Sequence, residues 1–497
     1  MRLMQRISGN VWKPLNDENE IEPRDGNDVI TTIDLNIQDV AQHSLENQLI
    51  KHNAEKGCAI LMEVATGEIR AIANLKRGTD GRYREEFNFG VGESTEPGST
   101  FKLASIMALL EDGYVDLDDM VDTQGGAVRF ANRIMKDSHD GGYGKITVQN
   151  VFEVSSNVGI SKMVHQYYSK NPQNFIDRVK GFGIGTKLDL QIPGEGTPFL
   201  KNTDHKYWSK VSLPWISIGY ECSLTPLQVL TFYNAVANNG RMVKPLFVKE
   251  IRNKGHLVEE FKPVIIRDSI ASPSTIAKVK LMLEGVVERG TATNLRHAQY
   301  KIAGKTGTAQ IANLKEGYKT GKMRYQASFV GYFPADNPKY SCIVVVYAPN
   351  GGMYYASQVA GPIFKEIADK VFASSIELHK ELKLEENLAQ NVPSAKNGQY
   401  RQTATVVKTL NIPASLPDNQ DRWIAARSTD DNVVFTGVKF RHDQVPNVVG
   451  MGLRDAIYLL ESKGLQVRIV GRGTVIQQSV NAGSKIQKGQ EIIIQLG

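Results

Sequence analysis

Cysteine is nearly missing from this chain: Cys58, Cys222 and Cys342 are the only three in 497 residues. The odd count gives no disulfide framework, and the spacing matches no zinc motif. Each lies among apolar neighbours, as a buried free thiol does. The nine histidines are scattered, with no HExxH and no paired ligands. Neither a metal nor a cofactor is expected. No stretch approaches the ~20 consecutive apolar residues of a membrane span. Met1-Arg2-Leu3-Met4 reads as the inside of a protein rather than as a leader. Charge of one sign is also lacking, since 59 basic against 53 acidic residues leave a net +6. That balance is too mild to argue for nucleic acid and is compatible with an anionic polymer or a membrane surface nearby.

What is present is ordinary globular material, 41% hydrophobic and 23% charged. The length suggests roughly two to four domains. Residues 1–30 are polar, carry Pro14, Pro23 and Gly26, and read as an extended connector. Val29 to Ile33 is strand-like, and Asp34 caps a helix expected over 35–54. Cys58–Val64 and Glu68–Ala73 read as a hairpin turning at Ala65-Thr66-Gly67. Leu117–Tyr143 looks irregular. Helices are expected at 147–154, over 160–183 with a break at Pro172, at 225–239, 274–287 and 359–372. Strands are expected at 300–309, 326–333 and 340–347, with a polar loop at 312–325. Strands and helices in this order suggest an α+β sandwich with a mainly antiparallel sheet. From about 380 to 400 the composition turns linker-like. Val445-Pro446-Asn447 opens a compact C-terminal unit. Val392-Pro393 and the stretch Thr403–Leu410 faintly echo it, as a degenerate repeat would.

One stretch organises the rest: Glu96-Pro97-Gly98-Ser99-Thr100-Phe101-Lys102, running into an apolar segment that ends at Gly113. Pro97-Gly98 suits a bend, and the segment after it reads as an amphipathic helix. Ser99 falls at its first turn, with Lys102 on the same face. A serine hydroxyl attacks only when something takes its proton, and a lysine made neutral by burial can do that. A helix N-terminus adds N–H groups that favour developing negative charge. Taken alone, Ser-x-x-Lys is more often a simple helix cap.

Two further pieces follow in order, Ser155-x-Asn157 and Lys305-Thr306-Gly307-Thr308. Gly304-Lys305-Thr306 is not a phosphate loop, because Gln299 stands where the first glycine belongs and the segment reads as a strand. Gly181–Gly185 follows no strand and is turn chemistry rather than a dinucleotide loop. The three pieces together resemble the penicillin-binding proteins and serine β-lactamases. Their flanks are similar to the class B penicillin-binding proteins: Glu96-Pro97-Gly98, Ser156 and Val158-Gly159, and Ala303-Gly304 with Ala309-Gln310. Thr31-Thr32-Ile33-Asp34, Thr66-Gly67-Glu68 and Thr225-Pro226-Leu227-Gln228 add to this. Residues 445–497 resemble a PASTA module. The combination is similar to division-type and sporulation-type members.

The resemblance implies a β-lactamase-like transpeptidase fold over 31–375, with helices flanking the sheet. Residues 376–444 would be linker and possible degenerate repeat, and 445–497 a small α+β module. Residues 1–30 would end an N-terminal pedestal, whose membrane anchor is not in this chain. The implied activity is a serine-type D,D-transpeptidase acting on peptidoglycan stem peptides, for septal wall synthesis, at the extracytoplasmic (periplasmic) face of the inner membrane. Implied partners are β-lactams, a glycosyltransferase and division-complex proteins, with no nucleic acid. Ser99 would be the nucleophile and Lys102 its base. Ser155 would relay the proton, and Asn157 would hold Lys102 and the substrate amide. Lys305 would lower neighbouring pKa values. Thr306, Gly307 and Thr308 would bind substrate, and the N–H groups of Ser99 and Thr308 would form the oxyanion hole. A D,D-carboxypeptidase, a β-lactamase, and a non-catalytic β-lactam sensor or cell-wall-binding protein remain as alternatives.

Overall fold

The runs Cys58–Met62 and Ile343–Val346 are continuously apolar rather than alternating, which suits strands covered on both faces. The computed structural model describes residues 4–14, 26–297, 299–311, 324–350, 352–374, 392–418 and 421–497. It divides into two units, Met1–His379 and Lys380–Gly497. The first is built on a six-stranded sheet: β1 (Lys56–Glu63), β2 (Ile69–Arg77), β3 (Tyr83–Arg84), β4 (Ala303–Ile311), β5 (Arg324–Phe333) and β6 (Tyr340–Tyr347). Its spatial order is β4-β5-β6-β1-β2-β3, all antiparallel. The join between the N-terminal hairpin and the C-terminal strands pairs Ile60 with Ile343.

Helix α1 (Leu35–Lys51) starts at Asp34, whose carboxylate accepts from the N–H of Asn36 and Ile37. It buries Ile37, Ala41, Leu45 and Leu49, a spacing that keeps one face inward. Against it packs α7 (Gly361–Ser374), through Ile363, Phe364, Ile367 and Val371. Between these two in the chain run α2 (Lys102–Glu111), α3 (Val148–Glu153), α4 (Asn157–Tyr168), α5 (Pro226–Ala237) and α6 (Pro273–Glu288). Helix α5 packs on β5 and β6. It opens on a reciprocal Thr225–Gln228 capping box with Pro226 in the first turn. The Asn234 amide fixes it to the sheet, donating to the Val64 carbonyl at 3.1 Å and accepting from the Ser341 hydroxyl at 2.7 Å.

Three expectations need correction. Helix α2 is not amphipathic, because every residue from Lys102 to Leu110 is buried. A helix covered all round has no polar face. Leu117–Tyr143 is not irregular: it holds a hairpin, Ala127–Phe130 with Arg133–Lys136, and a strand Met120–Asp122 paired with Lys145–Thr147. The N-terminal connector contains a hairpin, Met4–Ser8 with Val11–Pro14. The polar loop expected at 312–325 lies outside the described residues as far as 323, and Arg324 already belongs to β5. Among the described residues no helix is long and apolar enough to cross a membrane.

The second unit holds two halves that share one arrangement of a helix and three strands, the first half adding a short strand Gly398–Gln399 beside Trp423–Ser428. In the first, helix Tyr400–Thr409 is followed by Ala414–Ser415, Trp423–Ser428 and Val433–Val438. The last strand lies between the other two, parallel to the first and antiparallel to the second. In the other half, helix Leu453–Glu461 precedes Gln466–Gly471, Val475–Gln478 and Glu491–Leu496, paired in the same senses. One cluster holds Val407, Ile424, Val433 and Phe435, and the other holds Leu459, Leu460, Ile492 and Ile494, with Trp423 of the first half packed into it. The linker-like reading therefore fails from residue 392 onward, and 375–391 lies outside the described residues.

Ile424 is fully buried. Replacing it with alanine removes packing worth about 2–5 kcal/mol. Calorimetry of Ile424→Ala is expected to lower an unfolding transition of the second unit and leave that of the first in place. A shift of all transitions together would show one cooperative body instead of two.

Candidate active site

Pro97-Gly98 bends the chain into a 3₁₀ turn, Gly98–Phe101, which runs straight into α2. Ser99 sits on this turn, half-buried. The turn presses on edge strand β4 because glycines leave room. A Cβ on Gly307 would stand 2.4 Å from the Ser328 hydroxyl and 2.9 Å from the Thr100 methyl. Gly219, at φ +88°, would place one 2.0 Å from the Gly98 carbonyl. The Gly98 N–H donates back to Gly219 at 3.1 Å.

Lys102 and Lys305 come from α2 and β4, and both are fully buried. They converge on Ser155. The Lys102 amine donates to the Ser155 carbonyl at 2.6 Å and lies 3.2 Å from its hydroxyl. The Lys305 amine lies 2.8 Å from the same hydroxyl and 3.0 Å from the Thr306 carbonyl. Ser155 reaches this point with φ +61°, a left-handed conformation that costs a non-glycine residue of order 1 kcal/mol. Burial lowers Lys102 to about 7, opposed by the charge of Asp137. Burial, and then the charge of Lys102, lower Lys305 well below the usual amine range. Two such amines are hard to charge together, so at least one is neutral near neutral pH. The Ser155 hydroxyl can accept a hydrogen bond from one amine while donating to the other.

Asn157 opens α4, but it does not hold Lys102. Its amide donates to the Lys136 carbonyl at 2.8 Å. Asp137 takes the adjoining position, accepting from the Ser156 hydroxyl at 2.9 Å and from the Val158 N–H at 3.0 Å. A carboxylate here meets free N–H groups and the positive end of the helix. The end of the Ala127–Lys136 hairpin thus fixes the Ser155–Asn157 turn.

The Gln310 N–H donates to the Tyr220 hydroxyl at 3.2 Å, on the side of β4 away from β5. N–H groups on an antiparallel strand alternate sides. Thr308, two residues back, therefore turns its N–H to that same free edge. The Thr306 hydroxyl shares a 2.6 Å hydrogen bond with Thr291. Ser99, Ser155, Asn157, Thr306 and Thr308 all line one cleft of about 420 Å³. Tyr325, Tyr354 and Tyr355 stack into one wall, with ring centroids 4.4 and 4.6 Å apart. No Asp or Glu lines the cleft among the described residues. Lys102 and Lys305 lie behind it, reached through Ser155.

Sequence reasoning missed Glu153, Asp137 and Thr291. Glu153 is buried beneath Ser155 and accepts from Arg289 at 2.7 Å and from Gln149 at 2.8 Å. Gly285 makes the space, since a Cβ there would be 1.9 Å from the carboxylate. The Glu153 carbonyl accepts from the Thr291 N–H at 3.2 Å. This knot joins α3, the end of α6 and β4. Its only sequence signal is that Glu153 stands two residues before Ser155.

Residues 57–369 match the family described as penicillin binding protein transpeptidase domain, and 443–497 match the PASTA domain. PbpB, a penicillin-binding protein of Mycolicibacterium smegmatis, is 31% identical over 73% of this chain and 57% of its own length. Stage V sporulation protein D of Bacillus subtilis is 28% identical over 95% of this chain and 66% of its own. The chain thus spans less than two thirds of these relatives. Others, from Neisseria, carry the name probable peptidoglycan D,D-transpeptidase PenA. Penicillin-binding protein 3 of Mycobacterium tuberculosis, solved with ampicillin, is similar at TM-score 0.61 and 28% identity, over 70% of this chain and 78% of that one. With a match covering more than half of its residues, the chain belongs to the penicillin binding protein transpeptidase domain family and carries a PASTA domain at its C-terminal end.

Proposed function

We propose that this chain is a serine-type peptidoglycan D,D-transpeptidase of septal wall synthesis, working outside the cytoplasmic membrane and acylated by β-lactams. The observation that carries the reading is the pair of buried lysines on one serine hydroxyl, behind the cleft that holds Ser99 and Thr308. Ser99 Oγ bonds to the carbonyl carbon of the penultimate D-alanine of a stem peptide. Its proton passes to the neutral amine of Lys102. The oxyanion is held by the N–H groups of Ser99 and Thr308, donors of a kind worth about 2.7–4 kcal/mol each. Ser155 relays a proton to the leaving D-alanine nitrogen as the C–N bond breaks. Thr306 and Thr308 offer hydroxyls to the substrate carboxylate. An acceptor amine then attacks the ester, the C–Oγ bond breaks, and Ser99 regains its proton. The absence of a carboxylate among the described lining residues supports transfer to an amine over β-lactamase hydrolysis, which needs an activated water. Residues 31–375 are the transpeptidase domain in this reading. The shared topology of the second unit supports 392–438 as a degenerate PASTA-like repeat beside 445–497.

Ser99 is expected to carry a penicilloyl ester that survives for roughly tens of minutes or longer, a barrier of about 22 kcal/mol or more. Peptide mapping and a chase with fluorescent penicillin measure both. Label on another serine, or label lost within seconds, contradicts the assignment.

Lys102 must be neutral to act as base, and its pKa lies near 7. Below that value the amine is protonated and the base is lost. Acylation is therefore expected to rise with pH to a plateau above about 8, and to fall about tenfold per unit at low pH. Lys102→Arg keeps the charge but cannot supply a neutral amine, and is expected to abolish acylation in a folded protein. A flat profile from pH 5.5 to 8.5, or an active Lys102→Arg, rules out Lys102 as the base.

A further inference from the structure

A second cleft, of about 880 Å³, lies among the Ala127–Lys136 hairpin, the C-terminal half of α4 and the segment 208–213. Arg129, Lys162 and Lys210 line it, with no Asp or Glu among the described residues. Among the described residues neither Arg129 nor Lys210 has a hydrogen-bond or ion-pair partner. Lys162 is tied to the Asp122 carbonyl at 2.5 Å. Trp208, half-buried, and Phe130, buried, give the walls ring surface. The His165 Nδ1 is buried in this wall without a partner. The cleft therefore offers unused donors, positive charge and aromatic faces, and no carboxylate to hold a cation. An anionic, acceptor-rich ligand with a ring to stack answers that set.

Position narrows the ligand. Helix α4 carries Asn157 of the catalytic cleft at one end and Lys162 to His165 of the second cleft further along. At ~1.5 Å per residue, Asn157 to Lys162 is about 7.5 Å along the axis, and Asn157 to His165 about 12 Å. An extended peptide of four or five residues reaches about 13–18 Å. Along the axis the two clefts are thus within reach of one stem peptide and the sugar that bears it, by a path that also turns about 80–140° around α4.

We propose that the second cleft binds the amino-sugar end of an uncross-linked peptidoglycan strand, with peptide carboxylates on Arg129 and Lys210 and a sugar ring against Trp208. This deepens the transpeptidase reading and rests on it for the identity of the polymer. Arg129 and Lys210 are binding residues here and take no part in the chemistry at Ser99.

The test uses the full chain, first acylated with penicillin so that the catalytic cleft is filled. The probe is a soluble disaccharide-tetrapeptide, titrated calorimetrically. Wild type is expected to bind it at least tenfold more tightly than the Arg129→Glu/Lys210→Glu variant, and more tightly than Trp208→Ala. All variants should acylate with penicillin within twofold of the wild-type rate, which also reports that they fold. The proposal is overturned if wild type does not bind the probe, or if the double variant binds it equally well. It also fails if a probe with amidated carboxylates binds as tightly as the acid. An inorganic polyphosphate that binds wild type more tightly than the muropeptide, with no loss in Trp208→Ala, would make the cleft a general polyanion site and overturn it as well. Loss of penicillin acylation in wild type would instead strike the transpeptidase reading, while the charge-reversal comparison would still read the cleft.

Discussion

Lys102 and Lys305 end on the same serine hydroxyl, and neither has exposed surface. Two charged ammonium groups this close, away from water, repel each other and lack solvation, so one gives up its proton. Lowering Lys102 from 10.5 to about 7 corresponds to roughly 5 kcal/mol of bias toward the neutral amine. That bias is what makes a lysine a base at physiological pH. It also has a cost in stability. Between about pH 7 and 10.5 the unfolded chain binds a proton that the folded chain does not. Stability from these groups therefore rises with pH over that window and is least below it.

The surrounding structure keeps water out and the amines in place. Helix α2 is buried on all sides, so Lys102 has no route to solvent along it. Strand β4 supplies Lys305 and turns its free edge toward the Ser99 turn. Glycines at 219 and 307 let these parts approach closer than any side chain would permit. Behind Ser155, the Glu153–Arg289 pair fixes α3 against α6. A buried carboxylate is tolerated there because Arg289 and Gln149 satisfy it. Through Thr291 the same knot reaches the Thr306 hydroxyl, so the two halves of the cleft are braced against each other. Asp137 has a double role, capping α4 and, through its charge, favouring the protonated form of Lys102 against the effect of burial.

The grouping of Ser99, Lys102, Ser155 and Lys305 was legible because each lies in a short local motif, Ser-x-x-Lys, Ser-x-Asn or Lys-Thr-Gly, that can be read without knowing the fold. The strands β5 and β6 were legible because their apolar runs are bounded by Pro334 and Pro338. Residues 117–143 were not, since Gly125, Gly126, Gly141 and Gly142 mask short strands as loop. Local pattern likewise hid the burial of α2, because helical spacing of apolar residues looks the same whether the remaining faces meet water or protein. Glu153, Asp137 and Thr291 act through contacts with residues distant in the chain, and nothing beside them in sequence marks those contacts. Asn157 shows the converse limit: its motif was recognised, but its observed partner is the Lys136 carbonyl and not Lys102. The fold after residue 392 was faint because its strands are short and its core small.

The account turns on the buried amine pair giving up a proton near neutral pH. It can be measured directly by ¹⁵N NMR of the lysine side chains in unacylated protein, with Lys102→Arg and Lys305→Arg used to assign the two signals. One amine is predicted to be neutral at pH 7.5, with a titration near pH 7 that disappears in Lys102→Arg. Two ammonium signals persisting unchanged to pH 9 would contradict the account.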